Sequence, residues 1–334
     1  MPSALVTGAT GLVGFHLVQR LQHDGWSVRA LVRDAARAGV LSRMNVTLAT
    51  GDVLEPTGFA LAARGCDALF HTAAVITPRG GWESFRRPNV DGTRNAIAAA
   101  LSARARLIHV SSVAVYGASE RYSSDGQRTD ESSLRGQIPP GQFYARSKRE
   151  SEDLVFDAQR ERGLWATALR PCVIYGAHDR QFVPRIAHVL RRGIAPKIGD
   201  GSAILPIVHA ANVADGLVRA ATHDEANGRA YNLANDDEIS VAEFYRCAAE
   251  GMDMKVRQLS IPLLVARAAV GTFALLAPLV VGDRYNSLAS ATVNFLSRGN
   301  PFSSDRARRE LGWDPPMRAE DGVREAFRWW AAHH

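Results

Sequence analysis

Cysteine is scarce in this chain, and what there is shows no pattern. Cys66, Cys172 and Cys247 are the only three in 334 residues. An odd number without metal-ligand spacing excludes a disulfide framework and a zinc module, and favours a reducing compartment, so a cytoplasmic location is expected. Long apolar runs are missing too. The most apolar stretch, 261–282, is broken by Arg267 and contains Pro262, Gly271 and Pro278, and its uncharged part begins only at Ala268. That is shorter than the roughly 20 residues a spanning helix needs. A buried or substrate-facing helix pair is the first reading of this stretch, and a weak peripheral membrane contact through it stays open. Met1-Pro2-Ser3 runs straight into apolar residues without the basic and apolar order of a secretory signal, so none is expected. Internal repeats are lacking. The arginines behind the net charge of +6 are scattered, as at Arg86, Arg87, Arg160, Arg162, Arg308 and Arg309, and no segment interleaves them with aromatics. A solvated basic surface is therefore expected, with no nucleic-acid partner.

What is present is a phenol and an ammonium four residues apart, Tyr144 and Lys148, in Gln142-Phe143-Tyr144-Ala145-Arg146-Ser147-Lys148. On a helix they lie one turn apart on the same face. A tyrosine holds its proton to about pH 10 and works as an acid or base near neutrality only beside a cation, so Lys148 is expected to lower the phenol's pKa. Such pairs are common on helix surfaces, and two upstream features give this one meaning. Ala4-Leu5-Val6-Thr7 reads as a strand entering the turn Gly8-Ala9-Thr10-Gly11-Leu12-Val13-Gly14, where small residues let backbone and helix start approach a pyrophosphate. Arg106-Leu107-Ile108-His109-Val110 reads as a buried parallel strand that delivers Ser111-Ser112 at its C-terminal end, where open α/β sheets bind ligands.

Taken together these motifs resemble the extended short-chain dehydrogenase/reductases, the epimerase/dehydratase superfamily, and within it the 3β-hydroxysteroid dehydrogenase and dihydroflavonol reductase type. Gly51-Asp52-Val53, His71-Thr72-Ala73-Ala74, Asn89-Val90-Asp91-Gly92-Thr93, Leu169-Arg170-Pro171 and Ser304 to Trp313 extend the resemblance over nearly the whole chain. It implies an oxidoreductase with Ser112, Tyr144 and Lys148 as the catalytic set. Ser112 is preferred to Ser111 because it stands four residues before Tyr116, as the family's active-site Ser/Thr does. The cofactor is expected to touch Gly8, Thr10, Gly11, Leu12, Val13, Gly14, Arg33, Asp52, Val53, Thr72, Ala73, Ala74, Asn89, Tyr144, Lys148, Pro171 and Val173. Asp52 is the expected partner of the adenine amino group, and Asn89 either steadies the lysine through water or is a structural helix residue. Val32 stands where NAD-preferring members carry an acid, and Arg33 follows, which favours NADP(H). Asp34 keeps NAD(H) open.

The alternation of patterns predicts an α/β, Rossmann-type doubly wound parallel sheet. Strands are expected near 3–7, 27–32, 46–50, 67–71, 106–111 and 164–170, and helices near 12–24, 57–65, 84–103 and 142–162. The cofactor domain is placed at 1–176 with returning segments near 204–234, and 177–334 is read mainly as a smaller substrate-binding lobe with helices near 180–192, 240–252, 288–298 and 318–332. The loop 117–141 is expected to overhang the site. Val75, Ser112, Val113, Phe143 and Tyr144 are the expected substrate contacts, with Ile76, Pro78, Trp82 and Val173 as further apolar lining for a hydrophobic ketone or alcohol. His71, His109 and His209 read as core or turn histidines, and no metal is expected. Two rivals stay open. One is a nucleotide-sugar epimerase or dehydratase, against which stands Val113-Ala114 where sugar dehydratases carry Asp-Glu. The other is a non-catalytic NADP-binding regulator, against which stands the intact Ser112/Tyr144/Lys148 set. A homodimer also stays open.

Overall fold

Short aliphatic runs punctuated by glycine and polar turns become strands, and small-residue amphipathic runs between them become helices. The computed structural model describes residues 1–77, 80–117, 128–234, 238–276 and 292–334. In chain order, β1 (Ser3–Thr7), α1 (Leu12–His23), β2 (Ser27–Val32), β3 (Thr47–Thr50), α2 (Pro56–Ala63) and β4 (Ala68–His71) come first. A single turn, α3 (Glu83–Phe85), leads through a π-helical segment at Arg86–Asp91 into α4 (Gly92–Ala103). Then follow β5 (Arg106–Val110), α5 (Phe143–Arg162), β6 (Ala166–Pro171), β7 (Val173–Tyr175), α6 (Phe182–Leu190), β8 (Ile194–Ile198), β9 (Ile207–His209), α7 (Ala210–Thr222) and β10 (Ala230–Leu233).

The chain divides into two compact units. The first comprises Met1–Ile174, Val208–Asp236 and Phe302–Pro316. Its seven-stranded sheet has the order β10-β6-β5-β4-β1-β2-β3, with every pairing parallel. Parallel strands buried on both faces need apolar residues at successive positions, and β1 shows it. Ala4 and Val6 pack with Leu17, Val18 and Leu21 of α1 and Val213 and Leu217 of α7. Leu5 packs oppositely with Phe59 of α2, Ala96 and Ala100 of α4 and Val155 of α5. The strand order reverses between β1 and β4, and a crevice opens at such a switch point.

Two departures from the sequence reading have clear physical causes. The helix expected over 84–103 is not a uniform α-helix, because Pro88 has no N–H to give and its ring crowds the preceding turn, and the ladder slips into π register there. Phe302–Pro316, read with the second lobe, lies in the first unit. Phe302, Leu311 and Trp313 bury their side chains in its core, and the Trp313 indole donates to the Asn212 carbonyl at 3.1 Å.

The second unit, Tyr175–Ile207, Asp237–Pro301 and Met317–His334, holds α6, β8, α8 (Val241–Gly251), β11 (Arg257–Ile261), α9 (Leu263–Leu276) and a last helix at Ala319–His333. Ser240 and Glu243 form a reciprocal capping box at the start of α8. At its other end Gly251 lets the last helix approach closely, since a Cβ there would meet the Arg324 carbonyl oxygen at 2.5 Å. Of the apolar stretch 261–282, α9 occupies 263–276, and 277–282 lies outside the described residues, as do Pro78 and 118–127 of the loop. Among the described residues no helix is long and apolar enough to cross a membrane.

Candidate active site

The C-terminal edge of the sheet is built around a glycine turn whose close approaches are mostly to backbone atoms. Gly8 has φ +67°, and a Cβ on it would lie 2.8 Å from the Ala73 backbone and 2.9 Å from the Thr72 hydroxyl. A Cβ on Gly14 would lie 2.2 Å from the Gly8 carbonyl oxygen. The Gly11 amide donates to that oxygen at 2.9 Å, and Gly11 starts α1 with no side-chain cap. The first-turn amides of Leu12 and Val13 therefore have neither a helix carbonyl nor a capping side chain, and they carry the positive end of the helix dipole. Thr7 clasps the neighbouring strand end: the Ala73 amide donates to its hydroxyl at 3.3 Å, the Thr72 hydroxyl donates to its carbonyl at 2.7 Å, and its hydroxyl lies 2.9 Å from Nδ1 of His71. Thr10, Gly11 and Ala74 are exposed around this cradle. A helix start without a capping side chain, behind a turn of small residues, fits a dinucleotide pyrophosphate.

Ser112, Tyr144 and Lys148 are brought together. Ser112 leaves β5 in extended conformation, caps the 3₁₀ turn Val113–Tyr116 and accepts from the Ala114 amide at 3.2 Å. Tyr144 lies in the first turn of α5, half-buried, with its phenol beside the Ser112 hydroxyl. Burial pushes that phenol above its ordinary value of 10, and the hydrogen bond with Ser112 pulls the other way. Lys148, one turn on, is buried and donates from Nζ to the Val110 carbonyl at 2.6 Å. Burial carries its pKa down to about 8, and the charge of Glu152 works against that drop. The expectation that Lys148 lowers the phenol's pKa thus meets a different balance, in which desolvation of Tyr144 is the larger effect and Ser112 opposes it. Ser111, the rival serine, is buried with a hydroxyl that has no partner among the described residues.

Asn89 is a clamp. Its carboxamide accepts from the Val75 amide at 2.8 Å and donates to the Val75 carbonyl at 3.0 Å and to the Ser147 hydroxyl at 2.9 Å. It so ties the segment after β4 to α5, without a direct bond to Lys148. The π-helical segment puts it there. Asp52 accepts from the Leu54 amide at 2.9 Å and orders the turn after β3, and the Val53 carbonyl receives Asn95 at 2.8 Å. Arg33 is exposed just past the end of β2, while Asp34 turns back to accept from the Ala36 amide at 2.9 Å. Pro171 is buried at the end of β6, and Val173 is half-buried at the start of β7. Val75 and Val113 are half-buried, and Phe143 has Trp82 and Phe85 at ring distances of 6.2 and 6.1 Å. Arg146 stacks over Trp82 at 4.0 Å. His71 and His109 are buried and stacked at 5.7 Å, each with one unpartnered ring nitrogen among the described residues, and His209 caps α7.

Sequence reasoning missed a buried polar chain that starts on α5. Arg170 of β6 grips both oxygens of Glu152 of α5, at 2.9 and 2.6 Å, and donates to the Tyr116 hydroxyl at 2.8 Å. Tyr116 donates to Asn232 of β10 at 2.9 Å, and the Asn232 amide donates to Glu131 at 2.6 Å. An arginine in an otherwise apolar strand, and an acid four residues beyond the lysine, were the available signals.

Three comparisons agree with this geometry. The family model described as the NAD dependent epimerase/dehydratase family matches residues 4–234, more than half of the chain. A 4-hydroxy-2-methyl-3-oxo-4-farnesyl-3,4-dihydroquinoline-1-oxide ketoreductase from Stigmatella aurantiaca is 31% identical over 95% of this chain and 93% of its own. A 3-beta-hydroxysteroid dehydrogenase from Mycolicibacterium neoaurum is 28% identical over 97% and 90%. The crystal structure of gox2253 superposes with a TM-score of 0.80 at 28% identity, covering 100% of this chain and 99% of that one. The chain belongs to the NAD dependent epimerase/dehydratase family and is an NAD(P)-dependent oxidoreductase of the short-chain dehydrogenase/reductase type.

Proposed function

We propose that the protein interconverts a ketone and a secondary alcohol on a hydrophobic small molecule, with Ser112, Tyr144 and Lys148 as catalytic residues and NADP(H) as the preferred cofactor. The observation that carries this is the Tyr144 phenol, set beside Ser112 with the buried Lys148 ammonium one helical turn away. The cofactor, when bound, supplies or accepts the hydride. In the reducing direction a phenol above its ordinary value is fully protonated at neutral pH, so Tyr144 can give its proton to the substrate's carbonyl oxygen. Ser112 donates a hydrogen bond to the same oxygen, and Lys148 and Ser112 then stabilise the phenolate left behind. The glycine cradle and the start of α1 would hold the pyrophosphate.

Two observations support NADP(H) over NAD(H). The carboxylate of Asp34 caps its own turn, and the exposed Arg33 guanidinium stands at the strand end where a 2′-phosphate would need a cation. The aromatic cluster of Trp82, buried Phe85 and Phe143, which adjoins Tyr144 in the chain, supports a hydrophobic substrate together with half-buried Val75 and Val113, as do the relatives named for ketoreductase and steroid dehydrogenase activity. The second unit is proposed to be the substrate-binding lobe. Its helix α9 exposes Leu264 and Val265, which supports a weak peripheral membrane contact. The cytoplasm remains the proposed location on the cysteine count.

The test is a panel of hydrophobic ketones and secondary alcohols read by NADPH absorbance, with UDP-sugars as controls. Turnover of a UDP-sugar without net cofactor change, and none of any ketone, would replace this reading by epimerisation.

A further inference from the structure

Glu152 is fully buried, one turn beyond Lys148 on α5, and both its oxygens are held by Arg170. Exposed Arg135 reaches it at 3.7 Å. An ion pair of this kind could be no more than a bolt between α5 and β6, and buried pairs are poor evidence for stability. Its place argues for more. Residues i and i+4 on a helix are neighbours, so the carboxylate is fixed close to an ammonium that the interior disfavours. We propose that Glu152 is a positioning residue for Lys148: clamped by Arg170, its fixed negative charge keeps the Lys148 ammonium protonated and seated on the Val110 carbonyl.

The surroundings otherwise give Lys148 little help. Arg170 from β6, Arg149 on the same helix and Arg135 from the loop are cations. His71 from β4 and His109 from β5 are held neutral, Tyr144 and Tyr116 are protonated phenols, and the uncharged Asn89 of the π-helical segment bonds to Ser147, next to Lys148 in the chain. Asp153, next on α5, is partly exposed and pairs with Arg135 at 2.7 Å, so Glu152 is the one fully buried acid among these groups. Burial works against the charge on Arg170, and Glu152 more than offsets it, holding that guanidinium above its ordinary value.

This inference rests on the reading of Lys148 as the catalytic cation, and its test is chosen to separate the two. The sequence has three lysines, Lys148, Lys197 and Lys255. The Lys148 side-chain signal can therefore be followed by NMR through a pH titration of the full chain, with assignment by Lys197→Arg and Lys255→Arg. Wild type should titrate near 8. Glu152→Gln, which keeps the shape and loses the charge, should lower the midpoint by about one pH unit. Glu152→Asp, which keeps the charge and loses length, should stay closer to wild type. A packing role predicts the reverse order, so a Gln midpoint equal to wild type, or an Asp midpoint lower than Gln, overturns the proposal. Should Glu152→Gln not fold, the Glu152→Met, Arg170→Met double variant fills the space without charge, and a wild-type midpoint there overturns it equally. The alkaline limb of kcat/KM should move with the midpoint. A shifted midpoint in a protein that reduces no ketone would sink the ketoreductase reading and leave this one standing. An active enzyme with an unmoved midpoint would do the opposite.

Discussion

The same chemical change, glycine to alanine, should act with opposite sign at two helix positions. Gly14 and Gly58 lie in α1 and α2. At Gly58 an added Cβ meets nothing within 4 Å, so alanine brings only its better helix propensity and a less disordered unfolded chain, a gain of about 0.5–1 kcal/mol. At Gly14 the Cβ would lie 2.2 Å from the Gly8 oxygen, 2.6 Å from the Ala9 Cα and 2.7 Å from the Gly8 carbonyl carbon. All three are backbone atoms, so no rotamer relieves the clash, and the turn must move by roughly 1 Å to restore ordinary contact distances. It has little room. Gly8 is itself wedged on Ala73 and Thr72. Overpacking costs about 1–3 kcal/mol at ordinary core sites, and a backbone-only clash belongs at the upper end, so after the propensity gain Gly14→Ala should lose about 2 kcal/mol. Urea unfolding of both variants at unchanged slope measures the stabilities, and NADPH fluorescence titration measures the cradle. Gly14→Ala should also weaken NADPH at least tenfold, while Gly58→Ala leaves it alone. Equal stability of Gly14→Ala and wild type would show that the turn yields freely, and would remove the case for the glycine as a packing requirement.

Tyr144→Phe should leave cofactor binding nearly intact and lower kcat by roughly 10²–10⁴-fold, and Lys148→Met should harm both; near-normal turnover of the phenylalanine variant would take Tyr144 out of the mechanism. Arg33→Ala should weaken NADPH by roughly 10–150-fold and hardly touch NADH, and Val32→Asp should reverse the preference, read as kcat/KM with one ketone; equal effects on both cofactors would hand the site to Asp34. Acid should unfold the protein through its buried histidines. Burial, and then the charge of Lys148, hold His71 at about 3, and His109 is held well below its ordinary value for the same reasons. The unfolded chain binds these protons from about pH 6.5 and the fold does not, so stability falls as pH drops below about 6.5, by about 1.4 kcal/mol per pH unit for His71 down to about pH 3, with His109 acting in the same direction. His71→Gln should flatten that slope in urea titrations, and an unchanged slope would mean the histidines protonate inside the fold. Liposome flotation should show weak binding that Leu264→Asp abolishes.

Much of the first unit was legible because parallel strands advertise themselves. Leu5, Leu69 and Leu107 sit on one face of the sheet, and Val6, Phe70 and Ile108 on the other, and this continuous apolarity marked β1, β4 and β5 within a residue or two. The glycine turn was legible because its contacts are backbone contacts and depend on what is missing from the side chain. Phe302–Pro316 was not. Its membership of the first unit depends on Phe302, Leu311 and Trp313 finding a core built from residues far away in the chain, and no local pattern distinguishes that partner from another. The π-helical register at Arg86–Asp91 was hidden for a different reason. Pro88 signals a disturbed helix but not which register the disturbed ladder takes, and the register is what carries Asn89 to Val75 and Ser147.

Asn89, Thr7 and Glu152 share a property that explains why the Tyr144/Lys148 pair shows in the sequence and the polar scaffold around it does not. Tyr144 and Lys148 are four residues apart in one helix, so their relation is local and shows in the sequence. Asn89 joins segments 14 and 58 residues away, Thr7 joins residues 64 to 66 away, and the chain from Glu152 through Arg170 and Tyr116 reaches Asn232 across 116 residues. Each of these side chains is polar and buried, and a buried polar group without partners is costly, so each restricts which arrangements of the sheet's C-terminal edge are tolerated. The polar groups around the phenol and the ammonium thus act as register marks for the strands that carry them: Thr7 beside His71, and Arg170 beside Asn232, are also backbone partners in the sheet. A slip of one residue in either pairing would turn these side chains to the other face and leave several unpaired at once, which ties the alignment of α5 to the fold of the sheet beneath it.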